Sequence, residues 1–194
     1  MWRCILPDSR TLRPAVFLDR DGTMAEEVGY LNHSSRFRMF PFVAPAVRRL
    51  NEAGFAVIVI TNQSGVARGY FPESLVKEVN DLMVAELAEA GAHVDGVYYC
   101  PHGSGDACEC RKPKPGMINQ AAREHGLDIG RSFVVGDRYG DMDLAFRVGA
   151  SAVFVQTGYG MGDLHWHGKT WARQPDKIAD NLSDAVDWIL RQKR

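Results

Sequence analysis

Ala15-Val16-Phe17-Leu18 is an apolar run that stops abruptly at Asp19-Arg20-Asp21-Gly22-Thr23. Consecutive apolar residues, without the alternation of a half-exposed strand, predict a strand buried on both faces. Two carboxylates two residues apart follow it directly. Gly22 permits a tight departure and Thr23 is placed to hydrogen-bond the turn. If the strand continues, both acids share one side; if it turns, Asp19 stands at its tip and Asp21 lies just beyond. The plain reading is a solvated turn, because Asp and Gly dominate turns. The chemical reading is a site: two such carboxylates bind a hard divalent cation through oxygen, or divide nucleophile and acid/base roles.

Outward from this stretch, short β-rich runs alternate with helical patterns. Residues 55–60, 94–99, 132–135 and 152–155 read as further strands. Helices are expected over 44–53, closed by Gly54, and over 117–125, closed by Gly126. Another is expected where Leu75, Val79, Leu82, Met83 and Leu87 recur, between Pro72-Glu73 and Gly91. A helix over 142–148 and a C-terminal one with Leu182, Ala185, Val186, Ile189 and Leu190 on one stripe complete the series. The alternation predicts an α/β fold: a single Rossmann-like domain over residues 1–194, with an open, mostly parallel sheet and helices on both faces. Residues 24–42, 100–114 and 157–179 fit neither pattern and lie beyond the carboxyl ends of the strands, where such sheets bind ligands.

Composition removes several classes. The 194 residues are 45% hydrophobic and 24% charged, close to folded averages, so disorder is not expected. The longest apolar run, residues 55–60, is far short of the ~20 residues that span a membrane. The first residues carry Arg3, Asp8, Arg10 and Arg13, which is not a secretory signal. A net charge of −1 argues against non-specific binding of nucleic acid or membrane. The expectation is a cytoplasmic protein, a monomer or small homo-oligomer.

The cysteines are unevenly spread. Cys4 stands alone and reads as a packed thiol, whereas Cys100, Cys108 and Cys110 cluster with His102. Three thiols and an imidazole this close suit tetrahedral Zn²⁺ in a reducing compartment. With four protein ligands no position stays open for chemistry, so the zinc should be structural and should clip the loop. Because Cys110 directly precedes Arg111 and Lys112, the clip would also fix those cations. The other arrangement of this type, His165-Trp166-His167, reads as a solvated segment.

A second acidic strand end sharpens the first. Gly136-Asp137-Arg138-Tyr139-Gly140-Asp141 follows residues 132–135, so Asp137 can meet Asp19 and Asp21 across the crevice. Carboxylates converging there repel without a cation, and Mg²⁺ is the natural neutraliser. Asp141 reads equally as a helix N-cap or as part of the site. Thr61-Asn62-Gln63-Ser64-Gly65 offers hydroxyls and amides to oxyanions, and Arg111-Lys112-Pro113-Lys114 brings cations to a helix start.

In this order, Asp19-Arg20-Asp21-Gly22-Thr23, Thr61-Asn62-Gln63, Lys112 and Gly136-Asp137 with Asp141 resemble the motifs of the haloacid dehalogenase-like phosphohydrolases. The resemblance implies that Asp19 is the nucleophile, forming an aspartyl-phosphate, and Asp21 the general acid and then base. It implies Mg²⁺ on Asp19, Asp21 (through its carbonyl) and Asp137, with Thr61 and Lys112 steadying the phosphoryl group. Larger relatives insert a cap domain. Residues 23–61 have room only for a loop, a helix and a strand, and residues 64–111 for a helix, a strand and the Cys/His loop, so a capless enzyme is expected.

The C-x-H…C-x-C set followed by Arg111-Lys112-Pro113 resembles two groups within the family, acting on a heptose bisphosphate or on histidinol phosphate. Ser64, where the histidinol-phosphate group usually has Asp, and Gly29-Tyr30-Leu31 resemble the heptose group, whose reaction belongs to activated-heptose and lipopolysaccharide-core biosynthesis. That likeness implies a substrate site of Glu27, Val28, Gly29, Tyr30, Asn62, Gln63, Ser64, Arg111 and Arg138, open to a small phosphorylated sugar. A phosphoacceptor signalling domain also collects acids at strand ends; Asp21, an acid/base for hydrolysis, speaks against it.

Overall fold

The computed structural model describes residues 12–192, so Cys4 and most of the N-terminal stretch lie outside the described residues. Along β1 (Arg13–Leu18), Val16 and Leu18 enter one hydrophobic core and Ala15 and Phe17 the other, and all are fully buried. A strand covered on both faces cannot alternate polar with apolar, which is why the run was continuous. The same holds for β2 (Ala56–Asn62). With β3 (Gly96–Cys100), β4 (Leu127–Gly136), β5 (Ser151–Val155) and β6 (Lys177–Ala179) they form one six-stranded sheet of order β3-β2-β1-β4-β5-β6. Every paired neighbour is parallel.

Helices cover both faces. On one side α1 (Val43–Glu52), α2 (Glu73–Glu89) and α6 (Leu182–Gln192) supply Leu50, Met83 and Ile189 to the first core. On the other, α3 (Gly116–His125) and α4 (Tyr139–Val148) supply Ile118 and Met142 to the second. Each such buried side chain contributes roughly 1.5–3 kcal/mol by leaving water. The fold is α/β and Rossmann-like. The chain winds outward from β1 to β3, then restarts at β4 beside β1, so the switch point lies between the ends of β1 and β4. Asp19 and Asp137 follow those two strands.

Some elements depart from the expectation. The α2 stripe is formed by Val76, Val79, Met83 and Leu87, while Leu82 is exposed. β4 begins at Leu127, and its register with β1 shifts between Pro14 and Val16. There Ser132 Oγ accepts from the Ala15 amide at 2.9 Å and donates to the Asp128 carbonyl at 2.5 Å, replacing ladder bonds. Residues 157–179 contain α5 (Gly160–His167) and β6. Gly160 and Gly162 weaken the helical signal of α5, and β6 is a three-residue edge strand with no apolar run. Between β1 and α1 the chain adds only loop and a 3₁₀ turn (Ser34–Arg36), and between β2 and Arg111 only α2, β3 and the Cys/His loop. No helix among the described residues is long and apolar enough to cross a membrane.

Candidate active site

The backbone leaves β1 by turning. Asp19 N still donates to Val135 O at 3.0 Å, whereas the amides of Met24 and Ala25 both fold back onto Arg20 O, at 2.9 and 3.0 Å. Asp19 therefore stands at the strand tip and Asp21 within the turn. Thr23 does not hydrogen-bond the turn: its hydroxyl is buried without a partner, because the backbone amides close the turn unaided. Gly22 has φ +83°, and a Cβ there would overlap the Asp137 carboxylate. Gly158, beyond β5, packs against the same carboxylate oxygen and against the Gly22 backbone. Both positions need glycine because the two backbones and the Asp137 carboxylate meet in close contact.

Asp19, Asp137 and Asp141 bring carboxylate oxygens within 4.8 Å of one another. Asp141 is not the N-cap of α4, a place taken by Arg138. It sits in the first turn, where its Oδ2 accepts from Arg138 N at 3.2 Å and its Oδ1 meets Lys112 Nζ at 2.8 Å. Lys112 is buried, and its ammonium also contacts Asp19 Oδ1 at 2.8 Å and Ile60 O at 3.0 Å. Burial pushes the Asp19 carboxyl up to about 7; Lys112 opposes this, while Asp141 and Asp21 add to it. Burial, with Asp19 and Asp141, pushes Asp137 up to about 8. For Lys112, burial alone favours the neutral amine, but Asp141 and Asp19 outweigh it and hold the ammonium above its ordinary range.

One cation thus faces three carboxylates. Asp137 Oδ2 accepts from Tyr159 N at 2.8 Å, but Oδ1 is buried with no partner. An orphaned carboxylate oxygen among hard oxygen donors fits a divalent cation such as Mg²⁺.

Around this cluster the side chains hold one another. Asp21 Oδ2 accepts from Arg20 Nη2 at 2.9 Å and from Gln63 Nε2 at 2.7 Å. Arg20 is itself buried and donates to Asn80 Oδ1 of α2 at 2.8 Å. Gln63 also reaches Thr61 Oγ1, at 2.8 Å, tying the end of β2 to the turn after β1. Asn62 clasps the Lys112 backbone on both sides: its Oδ1 accepts from Lys112 N at 3.0 Å and its Nδ2 donates to Lys112 O at 3.2 Å.

These groups line a cavity of about 500 Å³. Glu27, Gly29, Tyr30, Thr61, Asn62, Gln63, Ser64, Arg111 and Arg138 all contribute to its wall, with Asp19, Asp21, Lys112 and Asp137. Val28 does not; it packs against the first core, and Leu31 lines the cavity in that run. Burial holds the Glu27 carboxyl above its ordinary range.

Cys100, His102, Cys108 and Cys110 converge beside β3, with ligand atoms within 4.8 Å of one another. Cys110 Sγ lies 3.1 Å from Cys100 Sγ and 3.2 Å from His102 Nδ1, and Cys100 and Cys108 are 3.8 Å apart. Ligands on a tetrahedral ion at ~2.3 Å would stand about 3.7 Å apart, so the group fits a metal ion. The loop reaches the cavity through Arg111, whose Nη1 donates to His102 O at 3.1 Å. His165 and His167 are exposed on α5, two positions apart on a helix and so on different faces.

Several cavity or supporting groups escaped the sequence reading: Arg20, Asn80, Tyr159 and Asp163. A lone polar residue in the α2 stripe was the available signal for Asn80; Tyr159 and Asp163 carried none, since their segment had no readable element.

Acidic groups at the ends of β1 and β4, across the switch point of a parallel Rossmann-like sheet, with a buried lysine between them, define a hydrolase of the haloacid dehalogenase-like class. The sequence model of the HAD-hydrolase-like family matches residues 109–185. A D-glycero-D-manno-heptose-1,7-bisphosphate 7-phosphatase of Thermosynechococcus vestitus is 44% identical over 189 residues, covering 91% of this chain and 95% of that protein. The D-glycero-beta-D-manno-heptose-1,7-bisphosphate 7-phosphatase of Escherichia coli K12 is 37% identical, covering 91% and 88%. The crystal structure of D,D-heptose 1,7-bisphosphate phosphatase from B. bronchiseptica, complexed with magnesium and phosphate, superposes with a TM-score of 0.84 at 32% identity, covering 92% of this chain and 99% of that one. The chain belongs to the haloacid dehalogenase-like phosphatases, in the family of the heptose-1,7-bisphosphate 7-phosphatases.

Proposed function

We propose that the protein is a Mg²⁺-dependent phosphatase that removes the 7-phosphate of D-glycero-D-manno-heptose 1,7-bisphosphate through an aspartyl-phosphate on Asp19. The observation that carries the reading is the set Asp19, Asp137 and Asp141 around the Lys112 ammonium, at the floor of a cavity with room for a small sugar. Asp19 and Asp137, with the Asp21 carbonyl, would hold Mg²⁺, which supplies charge neutralisation for the carboxylates and the phosphate. Asp141 already faces Lys112 and the Arg138 amide, so it acts as the lysine's counter-ion.

An Asp19 oxygen attacks phosphorus, and the bond from phosphorus to the sugar oxygen breaks. Asp21 gives its proton to the departing alkoxide. It then takes a proton from the water that attacks the same phosphorus, which releases phosphate and restores the Asp19 carboxylate. Gln63 and Arg20 hold Asp21 in place for both transfers. Lys112 and Thr61 stabilise charge on the transferring group. Glu27, Gly29, Tyr30, Asn62, Gln63, Ser64, Arg111 and Arg138 surround the sugar. The chain acts as one domain without a cap, consistent with its single sheet and short connections. Cys100, His102, Cys108 and Cys110 would hold a structural Zn²⁺ in the reducing cytoplasm, in keeping with unpaired thiols.

Phosphate release from the heptose bisphosphate, from heptose 7-phosphate and from histidinol phosphate, with Mg²⁺ and with EDTA, tests this reading. The heptose bisphosphate should be preferred and EDTA should abolish release. Asp19→Asn should lower turnover about a thousandfold or more while retaining the fold by circular dichroism. Retained turnover would overturn the mechanism, and preference for histidinol phosphate the substrate.

A further inference from the structure

The segment that follows β5 had no assigned role, yet it forms part of the cavity wall through Tyr159 and Asp163. Both residues meet one side chain. The Arg138 guanidinium lies 4.5 Å from the centre of the Tyr159 ring, and its Nε lies 3.1 Å from Asp163 Oδ2. The Arg138 backbone is fixed where α4 begins, by the hydrogen bond its amide donates to Asp141 Oδ2. The Tyr159 backbone is fixed too, because its amide donates to Asp137 Oδ2 at 2.8 Å. A chain of contacts therefore runs from the acidic cluster through Tyr159 to the guanidinium. Glu27 is the other acid facing this pair, and its charge reaches both Arg138 and Tyr159.

The guanidinium is seated but not used up. Its side chain is half exposed, and its terminal nitrogens make no hydrogen bond among the described residues. A planar fork of donors is suited to a phosphate, which it binds through two parallel bonds. A free arginine would lose rotamer freedom on capturing a ligand. Stacking and pairing remove part of that loss before the ligand arrives. The cluster at Asp19 needs only one phosphate, so a second anion receptor on the same wall is useful only to a substrate with two.

We propose that Tyr159 and Asp163 are positioning residues that seat Arg138 on the cavity wall as the receptor for the second, non-transferred phosphate, so that the site favours bisphosphorylated over monophosphorylated sugars. The inference rests on the reading of the cavity as a sugar-bisphosphate phosphatase and adds residues to it.

The test measures steady-state phosphate release from heptose 1,7-bisphosphate and from heptose 7-phosphate, which lacks the distal group. Asp163→Asn and Tyr159→Leu should each raise KM for the bisphosphate about two- to fivefold, the scale of one partly exposed ion pair or cation–π contact. The change in kcat should be smaller than the change in KM, and the loss on heptose 7-phosphate should be several times smaller. Tyr159→Phe, which keeps the ring, should lose less than Tyr159→Leu. In an Arg138→Ala background, Asp163→Asn should add little further loss. Equal losses on the two substrates, a loss in kcat alone, or full additivity with Arg138→Ala would overturn the inference while leaving the phosphatase reading intact. A wild-type enzyme that releases phosphate from neither sugar would overturn that reading, and this inference with it.

Discussion

The acidic crevice and the Cys/His loop are both clusters of ligand atoms within 4.8 Å, but they are held together in opposite ways. In the crevice, Asp19 and Asp137 follow strands buried on both faces, and the backbones of Gly22 and Gly158 close against the Asp137 carboxylate. The fold brings like charges together against their repulsion. In the loop, much of residues 101–110 is exposed, and the ligand atoms themselves are a main source of contact across it. Taking a cation away should therefore unbalance charge in the crevice without changing its shape, and should loosen the loop outright. Asn62 joins the two, because it grips Lys112 just beyond the last cysteine.

Among changes that test this contrast between crevice and loop, the largest effect should come from Lys112→Met. It removes the one ammonium that lies between Asp19 and Asp141. Turnover should fall by about 10²- to 10³-fold, the usual loss for a stabilising donor. Denaturant titration without divalent cation should show a loss of about 3 kcal/mol, since buried carboxylates are left without their counter-ion. Unchanged stability would mean that the crevice does not depend on this pair. Next, Cys110→Ala should reduce bound zinc and lower phosphate release about ten- to a hundredfold, because the loop then holds Arg111 and Lys112 less firmly. Full activity in a zinc-free variant would show the two regions to be independent.

A third test separates charge from shape. Asp19 and Asp137 have folded values near 7 and 8 against an ordinary 3.8, chiefly through burial. Between pH 4 and 8 the folded protein thus retains protons that the unfolded chain has released, so cation-free stability falls as pH rises through that window. Mg²⁺ competes with those protons, and the rise in Tm that it causes should grow from pH 5 to pH 8. Asp137→Asn should flatten the cation-free dependence; a Mg²⁺ effect largest at pH 5 would reverse the sign of the account. The smallest effect should be that of Asn62→Ala, which removes two hydrogen bonds at the junction. It should cost about 1–2 kcal/mol, with a modest fall in kcat and no loss of zinc. A loss of zinc would place the junction inside the loop's own stability.

Much of this was legible in the chain because burial on both faces of a parallel sheet writes itself as continuous apolar runs. Those over 15–18, 55–60 and 132–135 located β1, β2 and the inner part of β4, and the acids just after them located the crevice. Cys100, His102, Cys108 and Cys110 were legible for another reason: metal ligands can be recognised by type and close spacing. Short-range order is what a sequence displays.

Contacts between distant segments were not displayed. Asp141 could be a cap or a site residue until Lys112, 29 positions away by its number, was seen against it. Asn62 and Gln63 suggested oxyanion donors, but tertiary structure turned their amides toward Lys112, Asp21 and Thr61. Tyr159 and Asp163 gained meaning only where they meet Arg138. The sequence by itself determined the layered α/β fold, the acidic strand ends and the thiol–imidazole cluster, because hydrophobic period and residue chemistry are local properties. Which charge balances which, and which side chain steadies another, was decided only by the tertiary structure, because electrostatics and hydrogen bonds act over ångströms in space whatever their separation along the chain.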